Sequence, residues 1–138
     1  MNPKQFLTIG GVILVLLGIV GVLGVFNQTA TPWFWLDSGE NVAHLFLGVV
    51  ALAAVFVPGL NTALAPYYKP IVILVGIIAL FFGVYGFVVA GASAPNTFGL
   101  TNLESPSDNI LHLVVGVWAL AAALRPAGAA RLAQEASR

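Results

Sequence analysis

The chain contains no cysteine and carries little charge. Without cysteine it can form no disulfide bond, zinc–thiolate site or iron–sulfur site, and redox chemistry gives no indication of the compartment. Only five basic and five acidic residues occur among 138, and the charged share is 7% against about 25% in an ordinary soluble domain. The net charge is zero and there is no basic patch, which excludes a nucleic-acid partner.

Apolar residues make up 59% of the chain, and ten charges cannot cover the surface of a soluble fold of this length. The composition therefore predicts an integral membrane protein with the lipid bilayer as its main surroundings. Four apolar segments stand out, at about Phe6–Phe26, Val42–Val57, Ile71–Ala90 and Ile110–Leu124. The first is long for a signal peptide and has no clean cleavage site after it, so we interpret it as a retained span.

The second and fourth apolar segments are shorter than the about 20 residues that a spanning helix needs. They become long enough only if Glu40-Asn41 and Asp108-Asn109 lie at the membrane surface. Each of the two histidines in the chain, His44 and His112, then lies about one helical turn inside.

The basic residues predict the orientation. With four spans, all of them fall on one side of the membrane, in the N-terminal tail, the 58–70 loop or the C-terminal tail: Lys4, Lys69, Arg125, Arg131 and Arg138. The loops on the other side contain acidic residues and no Lys or Arg. The positive-inside rule therefore predicts cytoplasmic N- and C-termini, with both histidines towards the outer face.

The two halves of the chain share a pattern at a spacing of 68 residues. Ten of the eighteen positions from 41 to 58 are identical to their counterparts without a gap, and the matches include Asn, His, Gly and Pro. The same shift pairs Gly18 with Gly86 in the preceding helices. Each half holds two spans, so the repeat is predicted to be parallel, about an axis along the membrane normal.

These observations predict an all-α fold, an integral membrane four-helix bundle built from two parallel helical-hairpin repeats. The expected single domain covers residues 1–138. The first repeat spans about 5–58, with helices at about 6–26 and 41–57. The second spans about 71–126, with helices at about 71–91 and 109–125, and a cytoplasmic tail follows at 126–138.

On each second helix the polar motif occupies one face, because Asn, His and Gly stand at positions i, i+3 and i+7. The motifs "NVAHLFLG" and "NILHLVVG" resemble the bacterial membrane family described as domain of unknown function 4383, in which Asn-x-x-His-Leu-x-x-Gly occurs twice in four predicted spans. The resemblance covers roughly residues 5 to 125. It implies the fold and a bacterial or related source, and it implies no activity. The expected location is a bacterial inner or intracytoplasmic membrane. Family members often have a second histidine just before the first motif, where this chain has Gly39-Glu40.

Three roles are open for the polar residues at the start of the second and fourth predicted helices. In a structural role, His44 and His112 face the bundle interior at equal depth, Gly48 and Gly116 allow close backbone approach, and Asn41 and Asn109, or Asp108, cap their helices.

In the second role the two histidines are candidate axial ligands of a b-type haem, or ligands of a chlorophyll-type pigment. Asn41 and Asn109 would then orient the imidazoles, and Gly48 and Gly116 would make room for the macrocycle.

In the third role Glu40 and Asp108 join His44 and His112 as a two-histidine, two-carboxylate metal site.

The expected function is that of a small non-catalytic membrane protein, an accessory or scaffold subunit of a larger membrane complex. Its expected partners are the lipid bilayer together with other membrane subunits or copies of itself. The alternative is a tetrapyrrole-binding electron-transfer or pigment protein. Transport is disfavoured because the ionisable groups lie near one surface only, and no Ser-His-Asp arrangement or phosphate loop supports catalysis.

Overall fold

A computed structural model describes residues 1–125, and the predicted cytoplasmic tail at 126–138 lies outside the described residues. Four long helices dominate the described part: α1 (Pro3–Val22), α2 (Ser38–Phe56), α4 (Tyr68–Val88) and α5 (Ser107–Leu124). A short helix, α3 (Pro58–Leu64), and a 3-10 turn (Ala65–Tyr67) connect α2 to α4. Each long helix is long and apolar enough to cross a membrane, so the predicted all-α, four-helix fold is confirmed.

All four long helices begin about three residues earlier than predicted, and each also ends earlier. The apolar pattern misses these starts because the first turns of α2 and α5 consist of polar residues that bind exposed backbone amides. At α2, the Asp37 side chain accepts from the Glu40 amide and Glu40 Oε2 accepts from the Asp37 amide, each at 2.9 Å. This is a reciprocal capping box.

The predicted capping role of Asn41 and Asn109 is therefore wrong. Asp37 caps α2, so that Asn41 already lies inside the helix. No side chain caps α5 at its N-cap residue, Pro106, although Asp108 Oδ2 accepts from the Glu104 amide at 3.0 Å. The pattern Asp-x-x-Glu at 37–40 indicates the true start of α2.

The bundle has two chemically distinct ends. The basic end, with Lys4, Lys69 and Arg125, lies where α1 and α4 begin and α2 and α5 finish. The acidic end, with Asp37, Glu40, Glu104 and Asp108, lies where α2 and α5 begin. This separation agrees with the charge pattern on which the orientation prediction rests.

Helices α1 and α2 form one hairpin and α4 and α5 form the other, and glycines allow close packing within each. A methyl group added to Gly48 would lie 2.8 Å from the Val15 backbone nitrogen and 2.9 Å from the Gly11 carbonyl oxygen. A methyl group on Gly116 would lie 2.9 Å from the Leu80 backbone nitrogen. All three distances are shorter than van der Waals contact, so a side chain at either glycine would push the two helices apart.

The same contacts occur at equivalent places in the two hairpins. Leucines from the second helix of each hairpin cover glycines of the first, in the pairs Gly18–Leu45, Gly11–Leu52, Gly83–Leu113 and Gly76–Leu120. In each hairpin one asparagine covers the last glycine of the first helix, in the pairs Gly21–Asn41 and Gly86–Asn109. Each hairpin therefore packs by one scheme.

These contacts correct the predicted pairing of Gly18 with Gly86. The counterpart of Gly18 is Gly83, and the counterpart of Gly21 is Gly86, so the first helices correspond at a spacing of 65 residues. The second helices keep the spacing of 68. The difference arises because the connection at 89–106 is three residues longer than the one at 23–37.

The two hairpins meet at the basic end. Their shared core consists of Phe6, Leu7, Ala54, Val55, Tyr68, Val72, Ala119, Ala122 and Ala123. The Tyr68 hydroxyl lies 2.7 Å from both the Ala54 carbonyl oxygen and Asn61 Oδ1, which joins α4 to the end of α2 and to α3. The Phe6 ring lies edge-on to Trp118, with centroids 4.6 Å apart, and joins α1 to α5.

We expect Gly48→Ala to lower the free energy of unfolding by about 1–3 kcal/mol, the usual range for overpacking a tight interior. Its new methyl group would meet the backbone of α1, which cannot rotate away. Unfolding of the purified protein in detergent, followed by circular dichroism, measures the change.

Gly10→Ala is the matched control, because nothing lies within 4 Å of a methyl group at that position of α1. It should be neutral or stabilising by about 0.5–1 kcal/mol, since alanine favours the helix over glycine. Equal destabilisation by the two variants would contradict the proposed close contact.

Candidate functional site: a buried carboxyl cluster at the acidic end

Three carboxyl groups meet where the two hairpins face each other at the acidic end. The structure places carboxylate oxygens of Glu40, Glu104 and Asp108 within 4.8 Å of one another. Glu40 belongs to the first hairpin, whereas Glu104 and Asp108 belong to the second. The cluster therefore spans the boundary between the hairpins.

Local structure fixes each of the three acids. The capping box at the start of α2 holds Glu40, and the amide of Glu104 donates to Asp108 across the first turn of α5. Glu40 and Asp108 are only 8% and 3% exposed. Both carboxylate oxygens of Glu104 are also buried, and neither has a hydrogen-bond partner within residues 1–125.

No basic side chain balances these acids within residues 1–125. The three described Lys and Arg residues are all at the basic end, at the opposite ends of the helices. Burial without a counter-ion disfavours the charged form of a carboxyl group. Burial, together with the nearby charges of Asp108 and Glu40, raises the pKa of Glu104 well above its ordinary value of 4.5.

Both histidines lie beside this cluster and are partly buried. His112 Nδ1 is 2.8 Å from the Asp108 carbonyl oxygen, which can only accept, so Nδ1 carries the hydrogen. His44 Nδ1 is buried and has no hydrogen-bond partner among the residues described. The predicted facing of both rings towards the bundle interior at equal depth stays a prediction.

The predicted metal site with two histidines and two carboxylates does not form as such. Glu104 joins Glu40 and Asp108, whereas neither histidine joins a group of three ligands among the residues described. Zinc and copper sites commonly use imidazole or thiolate ligands, whereas carboxylates alone suit Mg²⁺, Ca²⁺ or Mn²⁺. The donor set is instead three carboxyl groups, which can share protons.

The asparagines do not take the predicted position beside the imidazoles. Asn41 and Asn109 point to the first helix of their own hairpin, where their amides occupy the space beside Gly21 and Gly86. Asn109 is fully buried, and neither of its amide atoms has a hydrogen-bond partner in the described structure. These amides therefore determine how closely each hairpin packs.

The glycines of the motif also differ from the role predicted for a tetrapyrrole. Gly48 and Gly116 face Val15 and Leu80 of their own hairpins at contact distance. The space that was expected to receive a macrocycle is thus filled by the neighbouring helix. The geometry fits the structural role of these glycines and does not fit the haem or chlorophyll role.

Asp37 joins the two connecting segments above the cluster. Its carboxylate accepts from the Thr101 hydroxyl at 2.8 Å and from the Asn102 amide at 2.8 Å, in addition to capping α2. The Ser107 hydroxyl donates to the Trp33 carbonyl oxygen and joins the same two segments again. The first hairpin is thereby tied to the second directly over the carboxyl groups.

The segment that Asp37 binds is itself well defined. Asn96 pairs with Leu103 through both its side-chain atoms, at 2.9 and 3.2 Å, and Thr97 pairs with Thr101 around a tight turn. Beside it lies a cleft of about 280 Å³ whose walls include Trp33, Trp35 and Glu104. We call residues 96–103 the cover segment.

Sequence reasoning missed Glu104 and Asp37. At the spacing of 68 residues Glu104 falls opposite Leu36, so the repeat gives no reason to select it. Its position four residues before Asp108 is the available signal. Asp37 could have been found from its capping pattern with Glu40, although its bonds to Thr101 and Asn102 bridge 64 and 65 residues of sequence.

Comparison of the chain with protein-family models, with curated proteins and with solved structures found no match. The resemblance to the family described as domain of unknown function 4383 therefore stays a prediction that is based on the doubled motif.

We expect Asn109→Leu to change the free energy of unfolding by less than about 1.5 kcal/mol, because leucine has a similar shape and removes two unpaired polar atoms. Asn109→Asp should destabilise by about 3–5 kcal/mol when ionised, because it buries an unpaired charge. Unfolding in detergent compares the two. A greater loss with leucine than with aspartate would show that the amide makes an essential polar contact.

We also expect the stability of the protein to fall as the pH rises. The pKa of Glu104 is raised in the folded state, so the folded protein holds a proton that the unfolded chain releases above its ordinary value of 4.5. The stabilisation is complete below that value and is lost as the pH rises through the raised pKa.

Glu104→Gln should make the unfolding midpoint less dependent on pH between 4.5 and the raised pKa of Glu104, because glutamine is neutral at every pH. Urea unfolding in detergent at several pH values gives the slope. An unchanged slope in the variant would contradict the shifted pKa of Glu104.

Proposed function

We propose that this protein is a small non-catalytic subunit that supports a larger membrane complex, as an accessory or scaffold protein. We further propose a bacterial inner membrane, with both termini in the cytoplasm, and a chain that arose as two copies of one hairpin. The recurrent glycine–leucine and glycine–asparagine contacts support the duplication.

The observation that carries the scaffold proposal is an unpacked apolar stripe on each second helix. On α2 the stripe consists of Val42, Phe46 and Val49, and all three side chains are more than half exposed. On α5 the equivalent residues, 68 positions later, are Ile110, Val114 and Val117, and each of them is also more than half exposed. The spacing i, i+4, i+7 places each stripe along one helix face.

These two stripes are available because the protein's own packing does not use them. Within each hairpin the second helix turns its glycine and leucine face to the first helix. The opposite side is apolar along its length and can contact either lipid or the helix of another subunit.

The polar groups at the acidic end support a non-catalytic role. The Thr101 hydroxyl donates to Asp37 and the Ser107 hydroxyl donates to Trp33, so both hydroxyls serve to join the connecting segments. Asp37 and Glu40 complete the cap of α2. The polar groups thus stabilise the arrangement of the hairpins.

Affinity purification of the tagged full-length protein in mild detergent tests the proposal. We expect a defined membrane complex that is retained by the wild-type protein. Phe46→Trp and Val114→Trp should each lower the recovery of the other subunits several-fold, because a larger side chain would disturb helix packing at a stripe.

Leu16→Trp on α1 is the matched control, since Leu16 is 55% exposed on a helix outside the two stripes. The monomer in detergent should remain folded in all three variants, as judged by circular dichroism. Recovery of the tagged protein alone, or full recovery of the complex with both stripe variants, would contradict the scaffold proposal.

A further inference from the structure

The carboxyl cluster forms much of the polar contact between the two hairpins at the acidic end. Glu40 approaches from α2, whereas Glu104 and Asp108 approach from the other hairpin. At the basic end an apolar core holds the hairpins together. The acidic end has instead three acids whose carboxylate oxygens lie within 4.8 Å of one another, and hydrogen bonds from the cover segment to Asp37.

Three buried carboxyl groups at this separation cannot all ionise without strong repulsion, because like charges that share a site disfavour the charged form. Glu104 illustrates the situation, since both of its oxygens are buried without a hydrogen-bond donor from any other described side chain or amide. A proton on one carboxyl group can be donated to an oxygen of its neighbour. Shared protons would therefore turn a repulsive contact into a cohesive one.

We infer that the Glu40–Glu104–Asp108 cluster is a proton-dependent latch between the two hairpins. With protons shared among the three carboxyl groups, the acidic end is closed and the cover segment stays bound to Asp37. Loss of these protons places like charges on opposite sides of the boundary, and the hairpins separate at that end while the apolar core at the basic end keeps them joined.

The other titratable groups that face the cluster are few. These are Asp37, the N-cap of α2, which receives several hydrogen bonds, His44 on α2 and His112 on α5. Tyr85 on α4 stacks on Phe98 of the cover segment, with centroids 5.1 Å apart. The described part of α1 has no titratable side chain near this end.

Burial and the neighbouring Asp108 carboxyl raise the pKa of Glu104, which agrees with a proton on Glu104 at neutral pH. The latch is closed below the raised pKa and opens as the pH rises through it.

Tryptophan emission tests the latch in the intact protein. Trp33 and Trp35 line the cleft beside Glu104, and the remaining tryptophan, Trp118, lies against Phe6 near the basic end, so Trp118→Phe removes the background. In this background we expect the emission maximum to shift to longer wavelength in one reversible transition between about pH 5 and about pH 10. Circular dichroism should show that the helices persist throughout.

Glu104→Gln should abolish the emission shift, because the variant keeps the side-chain shape and cannot ionise. Glu40→Gln is a second variant with the same expectation, and its amide oxygen can still complete the capping box with Asp37. Lys69→Gln, which removes a titratable group at the basic end of the bundle, is the control and should leave the transition unchanged.

A transition that persists in both Glu104→Gln and Glu40→Gln would overturn the latch, as would its loss in the control alone. A divalent ion as the true occupant would give a different result, because a chelator at neutral pH would then shift the emission of the wild-type protein. That outcome would also overturn a latch held by protons.

Discussion

The close approach of two backbones within each hairpin is the constraint on which the rest of the structure depends. Because Gly48 and Gly116 have no side chains, α2 and α5 can lie directly against α1 and α4. This close approach determines which face of each second helix packs against the first helix of its hairpin. The apolar stripes on the other face, and the position of the polar residues one turn from the start of the helix, follow from the same rotation of the helix about its axis.

The asparagines show why a polar residue can be useful in such a contact. Asn41 and Asn109 fill the space beside the last glycine of each first helix, at the end where the chain leaves the hairpin core. In lipid, burial of an amide gains little from the hydrophobic effect, and packing geometry decides the energy. The two helices of each hairpin therefore cross at an arrangement that the shapes of their side chains determine. Leucines and asparagines of the second helix lie over successive glycines of the first.

The sequence predicted the four helices, and it predicted that Asn, His and Gly of each Asn-x-x-His-Leu-x-x-Gly motif share one helix face, because both depend on local spacing. It could not show that the glycines and asparagines of the motif face their own hairpin, since that depends on the rotation of α2 against α1. The spacing of 68 residues suggested Gly86 as the partner of Gly18, whereas the longer second connection changes the offset in the first helices. Glu104 lies outside the repeated pattern altogether, and only the fold brings it to Glu40.

The longer connection of the second hairpin therefore supplies a carboxyl group that the first hairpin lacks. Three additional residues allow the 89–106 segment to form a compact turn, reach across to Asp37 and bring Glu104 over the start of α5. Two hairpins with identical connections would place only Glu40 and Asp108 near the boundary. The third carboxyl group crowds the cluster, and no lysine or arginine lies at this end of the described chain. The two packing units therefore meet through groups whose charge depends on protons.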